Sequence, residues 1–416
     1  MAKHPAKEKK LTIFVPEGFA GFECAMCGQC CDEPPRITIS SAKCERLVRT
    51  LQESGFRCPV RGSSGTDEGA PGGAASFALV GEKCVFLTPE GHCHLCDIGV
   101  PELRGLWCMS FPVSPIVTPR GVNYAVSFAC PKTAEMLRAR KPLNMLALTV
   151  TGAQPPSAER PFSSKHRIPT VRGRPKLDWP AHRLVEGMLL AIARDWDINI
   201  TDRLVVMPVM LNHLLRDYAG PQSDAALRES VSHADRRLGE MIKTARSFRP
   251  DREAHYEALA GIFGRRIGLR TRTQLRTLVD RAMRQVRQRR TATKGAELGA
   301  ALGHLYAKRY KPRASRFEHV LGNYIICRIF ASREMLSGGV YKGVYVVACL
   351  VALIRFVATT TAAERDVMVN TDILVEAVRT VEKLFAQSRN IFDFLDADEE
   401  QERMPDPARL AALVRI

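Results

Sequence analysis

The sequence predicts a mainly α-helical protein in which a cysteine-rich, loop-rich metal-binding N-terminal module precedes an all-helical C-terminal domain. Three observations carry that prediction. Eleven of the 13 cysteines lie between Cys24 and Cys130, leaving Cys327 and Cys349 for the rest of the 416 residues. The same segment is punctuated by Pro34-Pro35, Pro59, Pro89, Gly91, Pro101 and Pro112, which interrupt any long helix. Beyond residue 180, apolar residues recur every three to four positions, the period of one helical face.

A chain that is 45% apolar and 25% charged can bury sizeable cores, which excludes disorder or a fibre as a description of the whole. The longest strongly apolar run, Val344 to Ile354, is bounded by Lys342 and Arg355 and falls short of the roughly 20 residues a bilayer crossing needs. No membrane span is expected. The basic start, Met1 to Lys10, is followed by an apolar stretch, Leu11 to Val15, that is too short for a secretion signal. A cytoplasmic location is therefore expected, and in a reducing compartment 13 cysteines point to metal ligation or redox chemistry rather than a disulfide framework.

In chain order, residues 1–150 form the cysteine-bearing module. Within it, residues 61–76 (RGSSGTDEGAPGGAAS) have nothing to bury and read as a flexible insertion. Residues 151–180 hold six prolines without any period and read as a linker. Residues 181–416 form the helical domain. Asp178 stands as a capping residue ahead of Pro180, after which Leu184, Val185, Met188, Leu189, Ile192 and Trp196 mark one face of a first helix. Further helices are expected near residues 202–218, 223–247, 251–266, 272–291, 295–310, 315–335, 340–360 and 364–395.

The net charge of +17 suits an anionic partner without choosing its class. Arg265 to Arg290 carries ten arginines against one acid, Asp280, around an apolar stripe of Leu275, Val279, Ala282 and Val286. That pattern reads as the solvated face of an amphipathic helix, and without interleaved aromatics it does not favour nucleic acid.

The chemistry concentrates in Cys24-Ala-Met-Cys27-Gly-Gln-Cys30-Cys31, four thiols in eight residues with Gly28 allowing a sharp turn. Thiolates separated by two residues hold either Zn²⁺ or an iron–sulfur cluster, and the spacing leaves both open. The fourth cysteine follows the third immediately and lacks a following proline, so this is not a ferredoxin motif. Cys84, Cys93, Cys96, Cys108 and Cys130 supply further thiols downstream, more than one four-ligand site requires.

At these residues the chain resembles the flagellin lysine-N-methylases, a family that shares a cysteine-cluster module described as zinc- or iron-chelating. The shared motifs are CxxCGxCC at 24–31, Cys84-Val-Phe-Leu87, Cys93, Cys108-Met-Ser-Phe-Pro112 and Ser127-Phe-Ala-Cys130-Pro131, continuing to Arg138. Arg316-Phe-Glu-His-Val-Leu-Gly-Asn-Tyr-Ile325 and the apolar Val340-to-Val357 stretch resemble the helical C-terminal part of the same family. The resemblance implies transfer of a methyl group from S-adenosylmethionine to lysines of flagellin or another protein substrate, by an enzyme holding a [4Fe–4S] cluster. It implies Cys24, Cys27, Cys30, Cys31, Cys84, Cys93, Cys108 and Cys130 as metal ligands; Cys44, Cys58, Cys327 and Cys349 fall outside the shared motifs and read as buried structural thiols. Cys96 and Val113 depart from the family pattern.

Methylation requires a neutral lysine amine, although a free lysine has a pKa of about 10.4, so the site must desolvate the amine or supply a base. The sequence names no such base, and it has no G-x-G-x-x-G after a strand to mark a doubly wound cofactor site. Glu318, His319 and Asn323 form a polar group on the expected 315–335 helix, facing a cleft or serving helix contacts equally well. The alternative function is a Zn²⁺- or iron-binding protein with a structural or metal-delivery role and no methyltransferase activity.

Overall fold

Leu11, Ile13 and Val15 alternate with Thr12 and Phe14, and this period of two forms β1 (Lys10–Pro16). In the computed structural model, which describes residues 10–32, 37–56, 60–61, 75–81, 83–151, 168, 176–216, 218, 224–248, 295–331, 333–383 and 407–415, β1 lies inside a four-stranded sheet. Its partners are the hairpin β2 (Val113–Thr118) and β3 (Gly121–Val126), with β4 (Met145–Thr151) at the far edge, in the order β2-β3-β1-β4. β1 runs parallel to β3 (Ile13 opposite Val122) and antiparallel to β4 (Ile13 opposite Leu148). Gly121 is required where the hairpin crosses β1: its φ is +140°, and a Cβ there would collide with the Thr12 carbonyl oxygen.

This sheet corrects the expectation of a loop-rich N-terminal module. Phe14 and Ile116 face the main core, whereas Ile13, Val15, Val113, Tyr124 and Val126 pack with Phe19, Phe22 and Met136 on the other side. A separate small core gathers Ile37, Ile39, Leu47, Leu51, Phe77, Phe86, Leu95 and Leu103 under the helix Ser41–Glu53. Cys31, Cys44, Cys93 and Cys108 pack against this core, and Cys84 lies inside it. Residues 62–74 of the expected insertion lie outside the described residues. Of the 151–180 stretch, the structure pairs Ile168 with Leu177 and seats both in the main core.

The helical body comprises α1 (Trp179–Arg194), α2 (Ile200–Leu215), α3 (Asp224–Ser247), α4 (Gly295–Arg309), α5 (His319–Ala331), α6 (Val340–Glu364), α7 (Thr371–Val381) and α8 (Pro407–Val414). The Asp178 carboxylate accepts from the Ala181 N–H at 2.9 Å, capping α1 as its sequence position suggests. α6 is the central rod, packed against α2, α4, α5, α7 and α8. By length and composition it could cross a membrane, which the 11-residue apolar run did not reveal, but 94% of its apolar window is buried in the protein. It is a core helix.

Two expected helices are broken. The 315–335 helix divides into Ala314–Phe317, α5 and Arg333–Gly338. The 364–395 helix starts late: the chain turns through Asp366 at φ 53°, the Val369 N–H donates to the Arg309 carbonyl, and the Asn370 side chain caps α7 through the Ile373 N–H. The expected helices at 251–266 and 272–291, with the Arg265–Arg290 run, lie outside the described residues.

Candidate metal centre

The Cys24–Cys31 loop is shaped by Gly28, which adopts φ +66° so that the Cys31 N–H turns back to the Gly28 carbonyl at 2.8 Å. A Cβ at Gly28 would overlap the Gly91 carbonyl, which shows how closely this loop lies against the Leu87–Gly91 turn. Backbone pairing then brings distant cysteines together. The Cys84 N–H donates to the Cys31 carbonyl at 2.9 Å, and Leu87 bridges to Cys93. The sulfurs of Cys30 and Cys31 stand 3.9 Å apart.

The electrostatics show which thiols are neighbours. Cys30 is held down to about 7, chiefly because the Cys31 thiol donates to it; Cys31 is pushed far up by the same contact and by burial, with Cys84 and Cys93 adding repulsion. Burial, then Cys96, pushes Cys93 up to about 11. Burial, then Cys84, Cys93 and Cys30, pushes Cys108 up to about 12. Cys30, Cys31, Cys84, Cys93 and Cys108 therefore lie near enough for the charge of one to be felt by others. Cys130 is raised by burial and feels Cys27, which makes these two neighbours in turn. Cys24 is exposed, its sulfur accepting the Met26 N–H at 3.4 Å. Among the described residues no three His, Cys, Asp or Glu side chains are grouped tightly enough to hold one ion, so the thiols are gathered without forming a closed cage.

Cys96, the departure from the family pattern, sits at the next turn from Cys93, with its N–H on the Cys93 carbonyl at 2.8 Å. His94 stacks on Phe56 at 4.5 Å. Cys327 and Cys349 are buried in the main core, and burial raises both thiols. Cys58 lies outside the described residues.

The polar group on α5 turns out to be a joint. Asn323, fully buried, donates to the carbonyls of Ala139 at 2.8 Å and Leu137 at 3.3 Å and accepts from the Leu143 N–H at 3.0 Å, fastening the segment after Cys130 to the helices. Glu318 accepts from Arg355 at 2.6 Å and from the Tyr310 hydroxyl at 3.3 Å. Packing at Gly322 is close, since a Cβ there would lie 3.2 Å from both the Arg203 and Trp196 side chains.

Sequence reasoning missed the C-terminal side of the centre. Glu382, fully buried just beyond α7, accepts from the Tyr324 hydroxyl at 2.8 Å and from the Phe128 N–H at 3.2 Å, two residues before Cys130. Arg379 of α7 donates to the Gln29 side chain inside the cysteine loop, and the Lys383 charge reaches Cys30. Nothing in the local pattern marks these residues, because each acts on a segment some 250 or more positions away.

A family model described as FliB lysine N-methylase C-terminal domain matches residues 187–413, more than half of the chain. That span takes in the 316–325 motif, Arg379, Glu382 and Lys383, while the cysteine loops precede it. No curated protein and no solved structure matches the chain.

Proposed function

The chain belongs to the flagellin lysine N-methylase family, and from that premise we propose that it is a protein-lysine N-methyltransferase acting on flagellin in the cytoplasm. We further propose that S-adenosylmethionine is the methyl donor and that thiols from the N-terminal loops hold an iron–sulfur cluster. The observation that carries the enzymatic reading is the family match over residues 187–413. The metal reading is supported by the donor chemistry: Cys31, Cys84, Cys93 and Cys108 lie in or against a small apolar core with Cys30 beside Cys31, and as thiolates they would repel one another unless a positively charged centre held them.

On this reading Cys30, Cys31, Cys84, Cys93 and Cys108 are the first candidates to hold the cluster, with Cys24, Cys27 and Cys130 adjoining. A bound cluster supplies Lewis-acidic iron or an electron. The chain's own residues do the rest: Arg104 and Lys383 favour the thiolate of Cys30, Arg379 fixes the loop through Gln29, and Glu382 holds the segment leading to Cys130.

The test pairs two measurements on protein purified without oxygen. The first is an absorption spectrum with iron, zinc and sulfide analysis; a broad band near about 400 nm with matched iron and sulfide is expected. The second is transfer of labelled methyl from S-adenosylmethionine to flagellin lysines, read by mass spectrometry. Colourless protein with tight zinc, no sulfide after reconstitution and no transfer would replace this reading with a structural or delivery role for the metal.

A further inference from the structure

Cys96 lies outside both the shared cysteine motifs and the family-matched span, so neither assigns it. It closes a further Cys-x-x-Cys, Cys93-His-Leu-Cys96, on the short helix His94–Asp97, with Cys93 as the N-cap. The turn is tied down: the His94 N–H donates to the Phe86 carbonyl at 2.8 Å, and Leu95 is 0% exposed in the small core. The Cys96 N–H at 2.8 Å and the Asp97 N–H at 3.1 Å both donate to the Cys93 carbonyl, so a single tight turn separates the two thiols.

Their placement differs. Cys31, Cys93 and Cys108 pack against the small core and Cys84 lies inside it, whereas Cys96 is not among the described residues that pack there. Cys96 thus adjoins Cys93 without joining the other thiols, and the Cys93 thiol feels it as a charge and as a hydrogen-bond partner. Residues three apart in a helical turn hold their Cα atoms about 5 Å apart, inside the roughly 4.4–6.8 Å that a disulfide spans. The sulfurs of Cys30 and Cys31 stand 3.9 Å apart. Adjacent residues, however, have Cα atoms only about 3.8 Å apart, too close for an unstrained bond. Cys93 and Cys96 are both free and half-buried, so a small oxidant has access to them.

We propose that Cys93 and Cys96 form a reversible redox pair whose disulfide withdraws Cys93 from the thiols around the small core; the consequence for the metal rests on the metal reading above. The oxidant is a small-molecule disulfide. The Cys96 thiolate, standing clear of the core, attacks one of its sulfurs, which forms a mixed disulfide and releases one small thiol. The Cys93 thiolate then attacks the Cys96 sulfur, closing the intramolecular bond and releasing the second small thiol. The two chain sulfurs give up two electrons, these reduce the S–S bond of the oxidant, and the two protons leave on the small thiols. A sulfur held in a disulfide is no longer a thiolate ligand, so the metal lacks one donor while the pair is oxidised. Excess small thiol reverses each step and restores it.

The experiment treats the full chain, purified without oxygen, with graded ratios of oxidised to reduced glutathione, one portion as purified and one after treatment with a chelator. Alkylation and mass spectrometry of the unreduced protein read which cysteines are lost as thiols. In the chelator-treated portion the thiols of Cys93 and Cys96 are expected to disappear together as oxidised glutathione rises and to return with excess reduced glutathione. Cys93 and Cys96 persisting as thiols while other cysteines oxidise, or disappearing at unrelated ratios, overturns the pair. In the portion as purified, elemental analysis is expected to show metal lost on oxidation from wild type and retained by Cys96→Ser, whose circular dichroism and initial metal content match wild type. Equal loss from the two proteins overturns the link to the metal. Wild type that holds no metal before treatment overturns the metal reading alone, and the thiol count still decides the pair.

Discussion

Replacing Glu318 tests whether the 316–325 motif serves structure or chemistry. Its carboxylate accepts from Arg355, which is 2% exposed and also donates to the Thr201 hydroxyl at 2.9 Å and the Val414 carbonyl at 3.2 Å. Glu318→Leu strands that guanidinium in the core without its counter-charge, and breaking a buried pair on one side costs about 3–5 kcal/mol. With a urea m-value of about 3 kcal/mol/M for a chain of this size, the unfolding midpoint falls by about 1–1.5 M. Arg355→Met strands the carboxylate instead and costs a similar amount. The double variant removes both charges together, so it is expected to cost no more than either single change, giving a coupling of at least about 3–5 kcal/mol in the cycle. Urea unfolding of the four proteins, followed by far-ultraviolet circular dichroism, supplies these numbers. Strictly additive costs would refute the pair. So would a Glu318→Leu protein of wild-type stability that has lost methyl transfer, for then the carboxylate works at the reacting groups.

Two further outcomes follow from the same geometry. His182 is pushed from 6.5 down to about 3, first by burial and then by Arg183 and Arg120, so the unfolded chain takes up its proton at a higher pH than the folded one. The stability it contributes is complete above about pH 6.5 and drains as pH falls toward 3, with a loss of about 2 kcal/mol by pH 5; His182→Phe is expected to flatten this part of the stability profile, and an unchanged slope would show that the ring carries none of it. Gly28→Ala places a side chain at φ +66° and against the Gly91 carbonyl. It is expected to lower the metal retained per chain after anaerobic purification, measured by elemental analysis, while urea unfolding of the helical body stays near wild type; undiminished metal would mean that the loop contact is dispensable.

How much of this was legible in the sequence depends on the range of each interaction. The start of α1 announced itself because a cap needs only Asp178 and the N–H of Ala181, three residues on. The sharp turn of the cysteine loop was legible because it depends on Gly28 alone, which takes φ +66°. The four-stranded sheet was not, since β1 pairs with β3 and β4, more than 100 residues away, and its alternation spans only seven residues. The length of α6 was hidden for another reason: Lys342 and Arg355 bracket the apolar run, yet Arg355 is neutralised within the core and the helix continues through it to Glu364. Likewise Glu318 and Asn323 carry polarity that a sequence cannot distinguish from a catalytic cleft. Only their partners, Arg355 and the segment from Leu137 to Leu143, decide the matter.

The same long-range contacts bear on where the working unit lies. The family-matched span contains none of the clustered thiols, but it supplies the groups that act on them: Arg379 on Gln29, Lys383 on Cys30, and Glu382 on the backbone of Phe128. Glu382 is fully buried and takes hydrogen bonds from both Tyr324 and Phe128, so moving the cysteine segment away would leave a buried carboxylate short of a donor. Asn323 imposes the same condition at a second point, because three of its bonds end on the backbone between Leu137 and Leu143. Helices and cysteine loops are thus fastened at both ends of the segment running from Phe128 to Leu143. Any chemistry at the thiols takes place under the charges of α7 and of the residues just beyond it.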